Sequence, residues 1–131
     1  LAAKHFLKLL THEQRAVFAS LSARVGSIAD NRLGGWYSYR AAKAAQNQFT
    51  RTFAVEASRR APQLIVAALH PGTVDTALSK PFSGNVAEGK LFTAAQSAGY
   101  LLAVIDALKT EDSGGFRAWD GSVIPWQGLC E

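Results

Sequence analysis

Residues Leu64 to Leu69 read "LIVAAL", six apolar positions without a break. A strand with one face in water alternates apolar and polar residues. An unbroken run is what a strand covered on both faces needs, and such strands belong to parallel sheets sandwiched by helices. A chain containing one must supply further strands beside it and helices above and below it.

The remaining sequence is read on those terms. Ala2 to Leu10, "AAKHFLKLL", places Ala2, Phe6, Leu9 and Leu10 at helical spacing and reads as the tail of a helix. Thr11 to Arg15 is a polar connector. "AVFASLS", Ala16 to Ser22, reads as a buried strand. Arg24 to Gly35 carries Gly26, Gly34, Gly35 and Asp30-Asn31, a loop composition. From Tyr37 to about Arg59 the pattern is helical, with Phe49 and Phe53 four apart and alanines at 41, 42, 44 and 45. Pro62 closes that helix. After "LIVAAL" comes a long loop, "HPGTVDTALSKPFSGNVAEGK". Thr93 and Gln96 form a capping box for a helix over Ala94 to Lys109, with an expected apolar stripe of Ala98, Leu101, Leu102, Ile105 and Leu108. "SGGF" turns into a last strand, Phe116 to Trp119. Helix and strand alternate, which predicts right-handed crossovers and a parallel sheet of about three strands with helices on both faces. No linker divides residues 1–131, so one α/β domain is expected.

Charge and composition exclude several function classes. The 14 Lys and Arg exceed the 10 Asp and Glu by a formal +4. These basic residues are scattered, whereas nucleic-acid binders gather theirs on one element. Cys130 is the single cysteine, so no disulfide or Cys-based metal site forms within one chain. His5 and His12 have no partner at metal-ligand spacing, so no metal is expected. Apolar runs are too short to span a bilayer, so no membrane partner is expected. A reducing, cytoplasmic setting fits. The chain starts at Leu1 and contains no methionine, which suggests a piece of something longer or a chain whose initiating region was removed.

The chemistry is concentrated at "WYSYRAAKAA", residues 36 to 45. Tyr39 and Lys43 are four apart and share one face of a helix. An ammonium beside a phenol stabilises the phenolate and makes the hydroxyl a usable proton donor and acceptor nearer neutral pH. Alone, the spacing also fits a surface helix with a snorkelling lysine. The context adds weight. Ser22 ends one strand ahead of Tyr39, and "PGTVDT" follows another strand beyond Lys43. Ligands of open parallel sheets bind beyond the carboxyl ends of strands. His70, just before Pro71, reads as a structural or loop-orienting histidine, and Trp119-Asp120-Gly121 as a strand end and turn.

"LSARVGSI" (21–28), "GGWYSYRAAKAAQN" (34–47), "HPGTVDT" (70–76) and "SGGFRAWDG" (113–121), in this order and at these distances, resemble the short-chain dehydrogenases/reductases. The resemblance is nearest to the C-factor-like and carbonyl-reductase-like branch and runs over essentially the whole chain. It implies a Rossmann-type doubly wound sheet, of which this chain resembles the C-terminal half. It implies an oxidoreductase interconverting a small-molecule carbonyl and an alcohol with NAD or NADP, NADP being the expectation. Tyr39 would be the general acid/base. Lys43 would assist it and hold the ribose hydroxyls. The backbone of Pro71, Gly72 and Val74, with the Thr76 hydroxyl, would hold the nicotinamide end. A serine would hydrogen-bond the substrate oxygen. The family pattern has two serines there and this chain has Ser22-Ala23, so Ser22 is the candidate with a one-residue shift and Ser27 the other. The resemblance implies dimer contacts through the helix at 37–59, and because the helices at 2–10 and 37–59 carry more apolar surface than three strands can cover, a homo-oligomer through both is expected. The glycine-rich G-x-x-x-G-x-G cofactor turn is absent from these residues. A non-catalytic fragment that folds or dimerises without a dinucleotide is therefore the alternative.

Overall fold

A computed structural model describes residues 2–10, 13–77, 79 and 91–126. The elements are α1 (Ala2–Leu10), β1 (Ala16–Leu21), a 3-10 turn at Arg24–Gly26, α2 (Tyr37–Ala57), β2 (Leu64–His70), β3 (Thr73–Val74), β4 (Leu91–Phe92), α3 (Ala94–Ala107), a second 3-10 turn at Thr110–Asp112 and β5 (Phe116–Ala118). The main sheet has the order β1-β2-β5, and both pairings are parallel. Ala16 sits beside Leu64 and Leu21 beside Leu69, while Ala68 sits beside Phe116.

β2 is the central strand, and this is why "LIVAAL" is apolar throughout. Leu64 is 3% exposed and Ile65 to Leu69 are fully buried. Its alternate residues serve two layers. Leu64 and Val66 pack with Ala54, Ala57 and Ala61, against Leu7 and Leu10 of α1 and Phe18 and Phe53. Ile65, Ala67 and Leu69 face the other way, toward Leu108 and toward Leu101 and Val104 of α3. Helices therefore cover both faces, and the fold is the expected Rossmann-type α/β arrangement. A polar side chain introduced into this centre would be buried without water and would cost stability unless it found a hydrogen-bond partner.

The Thr93 capping box forms: the Gln96 N–H donates to Thr93 Oγ1 at 3.2 Å and the Thr93 N–H to Gln96 Oε1 at 2.9 Å. Four expectations need correcting. On α1 the inward residues are Leu7 and Leu10, while Phe6 and Leu9 are 55% and 69% exposed. On α3 the buried stripe is Ser97, Leu101 and Val104, continued by Leu108, and Ala98 and Leu102 lie outside it. β1 is only half-buried, with Ala19 and Leu21 exposed, because among the described residues it is a sheet edge whose α3-side face is poorly covered. Finally, the segment read as one long loop contains a two-stranded parallel pair, Thr73–Val74 with Leu91–Phe92. Two-residue strands are too short to show a period. The rest of that loop, 78 and 80–90, and Cys130 lie outside the described residues, as does His12. Among the described residues no helix is long and apolar enough to cross a membrane.

Candidate active site

The three features singled out in the sequence meet at the carboxyl ends of β1 and β2. The Ser22 N–H donates to the Leu69 carbonyl at 2.8 Å, so Ser22 lies beside the residue that precedes His70 and Pro71. Lys43, in the second turn of α2, reaches the same strand end: its Nζ lies 3.4 Å from the Leu21 carbonyl oxygen. Tyr39 stands one turn earlier on α2 and is 46% exposed.

α2 is held against this edge by close backbone approach. A Cβ on Gly26 would lie 2.8 Å from the Lys43 carbonyl carbon, 2.9 Å from Lys43 Cβ and 2.8 Å from Asn47 Nδ2. Real Cβ atoms do not tolerate such contacts, so glycine is required for the turn after β1 to seat against the helix. The helix entry is bound by Arg40. Its Nε donates to the Gly35 carbonyl at 2.9 Å and its Nη2 to the Gly34 carbonyl at 3.0 Å. Trp36, at φ 50°, is a non-glycine residue in left-handed backbone immediately before the helix and carries local strain there.

The two candidate serines have different surroundings. Ser22 is 4% exposed, and its hydroxyl donates to Asn47 Oδ1. Ser27 is 1% exposed; its hydroxyl donates to the Pro125 carbonyl and accepts from the Asp30 N–H at 3.1 Å, which ties the loop to the chain beyond β5. Ala23, the residue after Ser22, brings no hydroxyl.

The loop after β2 is braced from below. The Pro71 carbonyl accepts from the Ser97 hydroxyl at 2.9 Å. Gly72 is left-handed, at φ 78°, and a Cβ there would lie 2.7 Å from the Phe92 ring and 3.0 Å from Trp119. Phe92, Tyr100 and Trp119 form a cluster with ring centroids 4.6 to 5.3 Å apart. The Val74 carbonyl accepts from the Ser79 hydroxyl, and the Ser79 hydroxyl oxygen accepts from the Thr76 N–H at 3.0 Å. The Thr76 hydroxyl lies 3.4 Å from that same Ser79 oxygen. His70 is held neutral: burial, and then the Arg24 charge, lower its pKa to about 4, against opposing pulls from Asp120 and Asp30. Its Nδ1 is buried with no partner among the described residues.

Arg40, Gln46 and Asn47 were not singled out in the sequence. Asn47 lies four residues after Lys43, on the same helix face, which was the available signal; Arg40 and Gln46 had none beyond being polar residues in a helix.

Comparison with known proteins gives this geometry a family. The family model described as short chain dehydrogenase matches residues 2–86. A 1-hydroxy-2-glutathionyl-2-methyl-3-butene dehydrogenase of Rhodococcus sp. (strain AD45) is 41% identical over 106 residues, which cover 81% of this chain and 45% of that protein. The C-signal protein of Myxococcus xanthus is 35% identical over 108 residues, 82% of this chain and 60% of that one. An NADPH-bound carbonyl reductase from chicken fatty liver superposes with a TM-score of 0.78 at 32% identity, covering 95% of this chain and 51% of that one. The chain spans about half the length of the curated relatives it matches. The matched model covers well over half of these residues, and the parallel sheet superposes on about half of a carbonyl reductase: the chain belongs to the short chain dehydrogenase family.

Proposed function

We propose that these residues form the carbonyl-reacting half of an NAD(P)-dependent oxidoreductase that interconverts a small-molecule carbonyl compound and its alcohol. The observation that carries this reading is the Lys43 ammonium at the carboxyl end of β1, where the next residue, Ser22, bonds Leu69 near the end of β2. Tyr39 is open to solvent one helical turn away. The donor set fits the nicotinamide-ribose end of a dinucleotide: a phenol and an ammonium four residues apart on one helix face. NADPH in the similar carbonyl reductase supports NADP as the cofactor.

The dinucleotide, when bound, supplies or accepts the hydride at the substrate carbon. Tyr39 gives its phenolic proton to the carbonyl oxygen in reduction and takes one from the alcohol in oxidation. Lys43, on the same helix face as that phenol, assists it and donates to ribose hydroxyls. Pro71, Gly72, Val74 and Thr76 bound the nicotinamide end. Ser22 hydrogen-bonds the substrate oxygen after releasing Asn47.

The test is oxidation of NADPH or NADH by a polypeptide containing these residues, with a panel of aldehydes and ketones. No carbonyl-dependent turnover across the panel would sink the reading. In the same assay Ser22→Ala is expected to lower turnover by about 10²- to 10³-fold, the effect of one donor to the reacting oxygen. Ser27→Ala should lower stability and leave most of the rate. The reverse order would move the serine role to Ser27.

The second reading is a non-catalytic fragment, favoured by the missing G-x-x-x-G-x-G turn. Titration of the 131-residue polypeptide with nicotinamide cofactor separates the two. Tight binding by this polypeptide alone would remove the fragment reading.

A further inference from the structure

Gln46 lies one turn beyond Lys43 on α2, and its side-chain amide is fully engaged. Its Oε1 accepts from Lys43 Nζ at 2.9 Å. Its Nε2 donates to Ser20 Oγ at 2.8 Å and to the Leu21 carbonyl at 2.7 Å. An amide nitrogen carries two protons and an amide oxygen no proton. Both protons thus go to β1 and the oxygen goes to the ammonium. The reversed amide would set donors against the ammonium and an oxygen against the Leu21 carbonyl, so the surroundings select one orientation. Among the described residues no carboxylate is bonded to Lys43; its partners are this amide and the Leu21 carbonyl.

A lysine side chain has four rotatable bonds and considerable rotamer entropy to lose. A single contact at 3.4 Å leaves most of that freedom. An amide that is itself fixed to the strand at two points removes it. We propose that Gln46 is a positioning residue: it ties the Lys43 ammonium to the carboxyl end of β1, at the place from which Lys43 serves Tyr39 and the cofactor ribose. The inference deepens the proposed function and rests on it for the ribose and phenol roles, whereas the tie itself rests on the three hydrogen bonds.

Gln46→Leu and Gln46→Met remove the amide and keep apolar bulk, and Met also keeps the chain length. In the full-length polypeptide that carries these residues, the cofactor KM should rise about tenfold in both variants, the size of losing one hydrogen bond to a charged group. The carbonyl KM should change little. A role limited to packing would lower the melting temperature without this split. A second readout does not depend on turnover. With isotope-labelled lysine, the Lys43 ammonium signal should be distinct and slowly exchanging in the parent protein and averaged with the surface lysines in both variants. An unchanged ammonium signal in a folded Met or Leu variant would overturn the proposal. So would a loosened ammonium with an unchanged cofactor KM, because the tie would then serve nothing. If the parent protein shows no carbonyl-dependent turnover, the functional reading fails, and the ammonium signal still decides whether Gln46 orders Lys43.

Discussion

Tyr39→Phe, in a polypeptide that joins these residues to the N-terminal half implied by the family resemblance, is expected to cut turnover by about 10²- to 10⁴-fold, the usual contribution of one general acid or base. Cofactor affinity should be nearly unchanged. The substitution removes one hydroxyl from a ring that is already half in water. An exposed change of that kind moves stability by no more than about 0.5 kcal/mol, so a large loss of rate cannot be a folding defect. The stretch supplies its own control. Tyr37, two residues earlier on the same helix, is 87% exposed and does not share the face of Lys43. Tyr37→Phe should leave the rate alone. Steady-state kinetics on the two variants, with cofactor binding measured separately, decides the matter. A Tyr39→Phe enzyme that retains most of its activity would remove Tyr39 from the chemistry.

That contrast between two tyrosines was legible in the sequence because helical geometry alone pairs position 39 with 43. Other features were legible for similar local reasons. "LIVAAL" read as a strand covered on both faces, and Thr93 with Gln96 as the start of a helix, since both signals are complete within a few residues. What the sequence hid depends on neighbours distant along the chain. Phe6 and Leu9 of α1 look like a core face, yet Leu7 and Leu10 point inward; helical spacing offers both stripes and only the sheet beneath chooses. Leu102 and Leu101 are adjacent and equally apolar, and only Leu101 meets Leu69. β1 reads as fully buried, but its burial is set by whatever lies beside it in the sheet. Gln46 illustrates the same limit at the candidate site. Its value lies in where the Leu21 carbonyl falls, 25 positions away in sequence, and nothing within α2 reports that.

The 131-residue polypeptide on its own is expected to self-associate. In the order β1-β2-β5, β1 has no sheet neighbour on one side among the described residues, and an open edge of apolar sequence recruits other strands. The helical layer over the same sheet adds to this. Phe6 and Leu9 on α1 and Phe49 and Val55 on α2 are 45% to 75% exposed. Each such side chain contributes about 1.5–3 kcal/mol when fully buried, and a two-fold contact counts every one of them twice. Association costs roughly 4–15 kcal/mol in lost freedom, so these four residues per protomer reach that range even if half their surface is covered. Sedimentation at micromolar concentration should therefore show a dimer or larger species. Combining Phe6→Glu with Phe49→Glu should shift the population toward monomer if the helices carry the contact, and Ala19→Lys should do so if the open edge of β1 does. A parent polypeptide that sediments as a monomer and melts cooperatively would contradict the expectation, because the exposed apolar layer and the unpaired edge would then both be tolerated in water.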